Sequence, residues 1–228
     1  MKVLGLGGSS HDYSSCIVED GKLLCYIEEE RITREKHGIG MRSRSFNCIP
    51  YCMNASQLTL KDMDLIVAND LLSLLPFGNN LKNINFINHH LTHAAAAFYS
   101  SGFCESAIYV MDGLGSFITP TKNEVISYMY GVYSDITVFH KEFCTPQPIV
   151  TKSERLGGCV SGGNSLGWTY ETITRLCGFH HHEEGKLMGL AAYGHKDCLD
   201  RFRQYIRISK NGMGVNIDIA SLVNYCVC

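Results

Sequence analysis

The chain has 228 residues, of which 45% are hydrophobic, and its formal net charge is −2. These values predict a globular protein of one domain or two small ones. The chain has no basic stripe, which argues against nucleic acid as a partner. The N-terminus turns to glycine and serine after one short apolar run, so it predicts neither a signal peptide nor a transmembrane segment, and we expect no membrane partner.

The eleven cysteines of the chain show no CxxC pair. Without such pairs, a cysteine-based zinc site is not expected. So many unpaired cysteines predict reduced, buried thiols in a cytoplasmic protein.

The first third of the chain predicts an antiparallel meander. Asp20-Gly21 is typical of a type I′ hairpin turn. A polar stretch over residues 33–45 follows, and residues 46–54 predict a helix. The three apolar runs that predict the strands are residues 2–7, 14–20 and 22–32.

The middle of the chain predicts alternating strands and one helix. The helix is rich in alanine, the best helix former, and should run from about Thr92 to Ser101, with Gly102 ending it. Two further apolar runs predict a second hairpin. The predicted strands are residues 64–70 and 83–88, residues 106–116 are a strand that runs into a glycine turn, and the hairpin strands are 125–134 and 136–143.

The last third predicts helices joined by loops. Residues 144–163 are rich in Gly, Pro, Ser and Thr and predict a loop, after which Asn164 or Ser165 can cap a helix to about Cys177. The residues from Ser209 onward show no strong pattern. Two further helices are predicted at residues 184–194 and 197–208.

The segment INHHLTHAAAAF, residues 87–98, contains a potential metal site. His89 and His93 are four residues apart and would share one face of the predicted helix. Neutral imidazole binds Zn, Fe, Ni or Cu, and Asp112, at the end of the next strand, is the obvious third ligand. The alternative is that both histidines hydrogen-bond the backbone at a helix start.

Two glycine turns follow strands and offer backbone N–H groups to a phosphate. The first contains Gly7, Gly8 and Ser9, and the second contains Gly113 and Gly115. The alternative is that both are ordinary tight turns. His11 and Asp12, next to the first turn, are candidates for binding a hydroxyl or moving a proton, although solvated loop residues are more common.

Five sequence blocks, in order, carry a resemblance to a known family. The chain resembles the N-terminal part of the O-carbamoyltransferases related to nodulation protein NodU and to cephamycin carbamoyltransferase. The blocks are HDYSSCIVEDGKLLCYIEEERITREKH (11–37), NHHLTHAAAAFYSSGF (88–103), MDGLG (111–115), SLGWTYETITRLCGF (165–179) and EGKLMGLAAYG (184–194).

The resemblance implies an α/β protein with the actin-like ATPase fold, a mixed sheet flanked by helices. In this family a YrdC-like domain makes carbamoyl-adenylate from carbamoyl phosphate and ATP. The actin-like domain then transfers the carbamoyl group to a hydroxyl of a small molecule. Residues 1–143 would form the first lobe, and residues 144–228 a helical continuation that starts the second lobe or is inserted.

The resemblance also implies a set of functional residues. The metal ligands would be His89, His93 and Asp112, with Fe(II) preferred and Zn as the alternative. Candidates for accepting or positioning the proton are His11, Asp12 and His90. Groups that would bind ATP or carbamoyl-adenylate are Gly7, Gly8, Ser9, Arg34, Lys36, Gly113, Gly115, Glu184 and Lys186.

Several of these residues have simpler interpretations. Arg34 and Lys36 also suit a solvated basic turn, and Glu184 with Lys186 suits an ion pair at a helix start. The run His180 to His182 predicts a solvent-exposed loop, because consecutive residues do not share a helix face.

The chain departs from the family pattern in what it lacks. The family's fourth metal ligand, the adenosine-binding half and the YrdC-like domain are absent, so we expect that this chain alone does not make carbamoyl-adenylate. The chain would then be a fragment, or one half of a split enzyme whose partner chain supplies the missing parts. The alternative function is a non-catalytic metal- or nucleotide-binding lobe that acts only with a partner. A sugar-kinase-like phosphotransferase is disfavoured because Mg²⁺ prefers oxygen ligands.

Overall fold

The computed structural model divides the chain into two compact units, Met1–Thr92 and His93–Cys228. The predicted boundary after residue 143 does not coincide with this division, and the assignment of residues 1–143 to one lobe stays a prediction. Most of the predicted loop 144–163 and residues 39–45 of the polar stretch lie outside the described residues. The described residues are 1–9, 11–38, 47–72, 81, 83–148, 160–161, 164–210 and 212–227.

The first unit contains a five-stranded mixed sheet in the order β3-β2-β1-β4-β5. The strands β1, β2 and β3 are antiparallel neighbours, which confirms the predicted meander, while β4 and β5 run parallel to β1. The elements are β1 (Lys2–Gly7), β2 (Ser14–Glu19), β3 (Lys22–Glu28), α1 (Glu29–Thr33), α2 (Cys48–Ser56), β4 (Leu65–Asn69) and β5 (Ile84–Ile87).

The hydrophobic core of the first unit is formed by apolar side chains at strand spacing on β1 and at helix spacing on α2. Alternate residues of β1, Leu4 and Leu6, are buried on one face of the sheet. Ile49 and Met53, four apart on α2, are buried in the same hydrophobic cluster. Burial of a large apolar side chain stabilises the fold by about 1.5–3 kcal/mol, so this helix-on-sheet core holds the unit together.

The hairpin between β2 and β3 is confirmed, but the predicted length of β3 is wrong. Asp20 and Gly21 have φ values of 47° and 80°, as a type I′ turn requires. The strand was predicted to residue 32, yet it ends at Glu28. The next residue, Glu29, is 1% exposed and accepts hydrogen bonds from the backbone N–H groups of Asn47 and Cys48. This buried carboxylate holds the chain in a helical turn at the start of α2.

The helix that carries the two candidate histidines, α3 (His89–Ser101), begins three residues earlier than predicted. Asn88 caps it, because its Oδ1 accepts the N–H of Leu91 at 3.1 Å. The helix stops as predicted, with Gly102 at a φ of 77°. His89 therefore lies within the helix and not in front of it.

The second unit contains a four-stranded antiparallel sheet in which β8 pairs with β6, β7 and β9. The predicted second hairpin is confirmed as β8 and β9. The strand β8 buries Val125, Ile126 and Met129. The strands are β6 (Glu105–Met111), β7 (Phe117–Thr119), β8 (Lys122–Val132) and β9 (Asp135–Cys144).

The remaining elements confirm two helices and correct the end of the chain. Ser165 caps the first helix, since its Oγ accepts the N–H of Trp168 at 3.2 Å. The helix predicted over 197–208 gives way to a strand at Ile206, and the residues from Ser209 form a strand and a helix that were not predicted. The elements are β10 (Gln147–Pro148), β11 (Val160–Ser161), α4 (Leu166–Leu176), α5 (Glu184–Ala191), α6 (Leu199–Tyr205), β12 (Ile206–Ile208), β13 (Val215–Ile217) and α7 (Ile219–Val227).

The cysteines within the described residues are free thiols. Burial raises the pKa of the Cys48 thiol to about 12 and that of Cys52 to about 11, so both remain protonated. The expectation of buried thiols is wrong for four exposed cysteines, Cys104, Cys177, Cys198 and Cys226. None of the helices in the described parts of the chain is long and apolar enough to span a membrane.

Candidate active site

The helix α3 presents His89 and His93 one turn apart, so the two imidazoles lie on the same face. The side chain of His93 is 54% exposed, which leaves it accessible to an ion from solvent. His90, the third histidine of the run, is fully buried. Its predicted role in proton transfer stays a prediction, and its burial favours the more exposed His11 for that role.

Asn69, the last residue of β4, determines which nitrogen of His89 carries a proton. The Asn69 Nδ2 donates to the carbonyl of Gly8 at 2.7 Å, and its Oδ1 accepts the N–H of Leu71 at 2.9 Å, which fixes the orientation of the amide. The same Oδ1 lies 3.4 Å from His89 Nδ1 and can only accept, so Nδ1 is the donor. His89 Nε2 is then the atom that can bind a metal.

Asp112 follows β6 directly, and its two carboxylate oxygens have different neighbours. The N–H of Gly113 donates to Asp112 Oδ1 at 2.6 Å, and Asp112 Oδ2 lies 4.0 Å from His93 Nε2. Two ligands bound at about 2.1 Å to one ion are separated by roughly 3–4 Å. The spacing of His93 and Asp112 therefore fits two ligands of one divalent metal.

The turn after Asp112 is clamped by the start of α4. Ser165 Oγ donates to the carbonyl of Gly113 at 2.7 Å. A Cβ at Gly167 would lie 2.7 Å from the backbone of Gly113, so only glycine fits at position 167. This close approach of two backbones holds the carboxylate of Asp112 in place.

The second glycine turn uses its candidate phosphate donors within the protein. The N–H of Gly113 donates to the side chain of Asp112, and the N–H of Gly115 donates to the carbonyl of Glu124 at 2.8 Å. Donors engaged in this way do not point at a ligand. The phosphate role of this turn stays a prediction.

The first glycine turn is sterically restricted. Gly8 has a φ of 112°, and a Cβ there would lie 3.0 Å from the carbonyl oxygen of His11, so the position requires glycine. The N–H of Ser9 donates to that same carbonyl at 3.0 Å. The turn is thus closed by its own backbone, beside the residues predicted to move a proton.

Asp12 connects this turn to the segment Lys36–Gly38. Its carboxylate contacts His11 Nδ1 at 2.6 Å and His37 Nδ1 at 3.0 Å, and its N–H donates to the carbonyl of His37 at 2.7 Å. Asp12 and His37 have φ values of 52° and 62°, which are strained for residues other than glycine. Sequence reasoning missed His37, although it is the last residue of the first block that resembles the family.

The hydrogen bonds to Asp12 change its acidity. Partial burial opposes its ionisation, but the hydrogen bonds from His11 and His37 outweigh that effect and lower the pKa of Asp12 below its ordinary value of 3.8. A carboxyl group whose pKa is lowered in the folded state stabilises the fold above its unfolded pKa. This contribution is lost as the pH falls through the folded pKa.

We expect Asp12→Asn to lower the melting temperature near neutral pH, and the difference from the unsubstituted protein to shrink as the pH falls below 3.8. Thermal unfolding followed by circular dichroism between about pH 7 and pH 3 measures this difference. Asp135→Asn, at the exposed first residue of β9, is the control and should show no such trend. A difference that grows toward acid would contradict the assignment.

The other predicted ligand-binding side chains are exposed, except Glu184, which is half-buried. Lys36 begins the segment that contains His37, and Arg34 lies two residues before it. Lys186 forms an ion pair with Glu183, and not with Glu184 as the simpler interpretation had it. Roles for these residues in nucleotide binding stay predictions.

A comparison of the chain with protein-family models identifies its family. The model described as Carbamoyltransferase N-terminus matches residues 2–74 and 77–220. The chain belongs to this family. The resemblance found in the sequence is thereby confirmed, and the first unit contains a mixed sheet, as the α/β class predicts.

Two curated relatives are much longer than this chain. Nodulation protein NolNO of Sinorhizobium fredii is 29% identical over 244 residues, which cover 91% of this chain and 32% of the relative. Nodulation protein NolO of Bradyrhizobium diazoefficiens is 31% identical over 137 residues, covering 58% of this chain and 20% of the relative. The chain thus spans about a third of NolNO.

Solved structures show a more distant similarity. Component A of (R)-2-hydroxyglutaryl-CoA dehydratase from Acidaminococcus fermentans has a TM-score of 0.49 and 12% identity, covering 100% of this chain and 68% of that one. YeaZ from Pseudomonas aeruginosa has a TM-score of 0.39 and 11% identity, covering 67% of this chain and 71% of that one.

Proposed function

We propose that this chain is the acceptor-side part of an O-carbamoyltransferase. The complete enzyme would transfer a carbamoyl group from carbamoyl-adenylate, made from carbamoyl phosphate and ATP, to a hydroxyl of a small molecule. The observation that carries the proposal is the 4.0 Å spacing of His93 and Asp112, beside a second histidine on α3, in a member of this family.

We assign one divalent metal to His89, His93 and Asp112. Two imidazoles and one carboxylate suit Fe(II) or Zn, and Fe(II) is our first choice. When bound, such an ion supplies Lewis-acid polarisation of a carbonyl or phosphoryl oxygen. Asn69 supports the site by keeping the proton of His89 on Nδ1.

His11 is the residue we assign to accept the proton. Its Nδ1 is paired with Asp12 at 2.6 Å, and in this assignment Nε2 takes the proton of the acceptor hydroxyl. The acceptor oxygen then bonds to the carbamoyl carbon, and the bond from that carbon to the adenylate oxygen breaks. The electron pair leaves with AMP.

The first glycine turn and two basic side chains of the first unit would line the site of the adenylate phosphate. Gly7, Gly8 and Ser9 offer the turn, and the exposed Arg34 and Lys36 offer positive charge. The free thiols support a cytoplasmic location for the protein.

The test is transfer of a labelled carbamoyl group from carbamoyl phosphate, with ATP and Fe(II), to a panel of sugar and aminoglycoside acceptors. The chain is assayed alone and with the part of NolNO that it does not cover, added as a separate polypeptide. We expect product in the mixture, and a rate lowered about 10²–10⁴-fold by His11→Ala. His140→Ala is the matched control, because His140 also pairs with a carboxylate, that of Glu142, but has no assigned role in the reaction. Binding of metal without product in either assay would favour the alternative, a non-catalytic binding lobe.

A further inference from the structure

A second group of ligand-type side chains meets in the turn between α4 and α5. His181, His182 and Glu184 each offer one ligand atom, and these atoms lie within 4.8 Å of one another. The centroids of the two imidazole rings are 3.8 Å apart. None of these residues belongs to the metal site proposed above.

The sequence argument against this group does not apply to the folded chain. It rested on the rule that consecutive helical residues point in different directions. The segment is a turn, as predicted, but His182 has a φ of 62°, in the left-handed region. The two neighbouring rings can therefore face the same point.

A buried carboxylate behind His181 orients its ring. The side chain of Glu171, on α4, is 7% exposed, and its Oε1 lies 2.8 Å from His181 Nδ1. A carboxylate accepts only, so Nδ1 carries the proton and His181 Nε2 is the atom that can bind a metal. Carboxylate–histidine–zinc triads use this same arrangement.

The second oxygen of Glu171 strengthens the case for a functional carboxylate. Glu171 Oε2 is buried and has no hydrogen-bond partner in the described part of the chain. The charge of this buried carboxylate is partly compensated by Arg175, whose Nη1 lies 4.0 Å from Glu171 Oε1, so the pairing with His181 is not its only interaction. The neighbouring acid Glu183 is engaged by Lys186 and by the N–H of His180, which leaves Glu184 as the carboxylate of the group.

We propose that His181, His182 and Glu184 form a zinc site, with Glu171 as the positioning residue of His181. Two neutral imidazoles and one carboxylate suit Zn²⁺, and three protein ligands leave a fourth position open to water or another oxygen ligand. The ion would link the start of α5 to the turn that α4 holds. The proposal does not depend on carbamoyl transfer: His181, His182 and Glu171 have no role in that mechanism, and Glu184 would bind zinc here instead of the nucleotide predicted for it above.

The test is a Zn²⁺ titration of the full chain against a chromogenic chelator, performed with His93→Ala so that the first proposed site does not contribute. We expect this variant to bind one Zn²⁺ per chain. Adding His182→Gly, which keeps the left-handed backbone, should weaken zinc binding about 100-fold or more. Adding Glu171→Gln should weaken it about 10–100-fold with unchanged stoichiometry.

The matched control is His180→Ala, which removes an adjacent exposed histidine outside the group and should leave zinc affinity unchanged. Zinc should raise the melting temperature of the His93→Ala chain and of its His180→Ala form, but not of its His182→Gly form. Equal zinc affinities for the His180→Ala and His182→Gly forms would overturn the proposal. If His182→Gly does not fold, His181→Ala replaces it, and Co²⁺ bound to the chain is followed by its visible absorption spectrum. We expect His181→Ala to change the spectrum and His180→Ala to leave it unchanged. Identical spectra for these two forms would overturn the proposal.

Discussion

Replacing His93 by alanine should reduce Fe(II) binding by well over 100-fold, because it removes a direct ligand. Asn69→Ala should reduce it less, by about 10–100-fold, since Asn69 only sets the proton position on His89. Comparing the two variants distinguishes the loss of a metal ligand from the loss of a residue that orients one. Competition with a chromogenic Fe(II) chelator under anaerobic conditions measures both values.

The control for this series is His140→Ala. His140 lies on β9 and pairs with Glu142 at 2.7 Å. It resembles His93 in having a carboxylate as neighbour, but we do not assign His140 to a metal site. All variants are prepared with His182→Gly, which removes the second proposed site. If His93→Ala and His140→Ala bind Fe(II) equally well, His93 is not a ligand.

Replacing Glu29 by alanine should destabilise the protein by about 3 kcal/mol or more, the largest stability loss we expect from a single change. The Glu29 carboxylate is buried and accepts three donors at the start of α2. These are the N–H and Nδ2 of Asn47, at 2.9 and 2.8 Å, and the N–H of Cys48, at 2.8 Å. A hydrogen bond to a charged group contributes about 1.5–3 kcal/mol, and a buried donor left unpaired adds a further cost.

Urea unfolding at neutral pH measures this loss. Glu29→Gln keeps the size of the side chain and one acceptor oxygen, so we expect an intermediate value. Glu35→Ala, an exposed glutamate six residues later, should change the free energy of unfolding by less than about 0.5 kcal/mol. A loss below about 1 kcal/mol for Glu29→Ala would mean that water replaces the carboxylate at the start of α2.

The features that the sequence predicted well depend on local patterns. Leu4 and Leu6 alternate along β1, and Asp20-Gly21 adopts the positive φ values that its turn requires. His89 and His93 share a face because four residues make about one helical turn. Each of these inferences needs only neighbours within a few residues, so no tertiary information was required.

The features that the sequence missed depend on contacts between distant residues or on unusual backbone angles. The strand β3 ends early because the carboxylate of the next residue, Glu29, binds the N–H groups of Asn47 and Cys48. These partners lie eighteen and nineteen residues further along the chain. His37 reaches Asp12 across 25 residues. His182 joins His181 only because its φ is positive. Periodicity does not encode such contacts, so these residues could be found only in the fold.

The most direct test of the carbamoyltransferase assignment is an iron-edge anomalous difference map from crystals of the full chain loaded with Fe(II). Our account predicts a peak within bonding distance of His89 Nε2, His93 Nε2 and the carboxylate of Asp112. Iron bound elsewhere, for example at cysteine thiolates, with no peak at these three residues would contradict it.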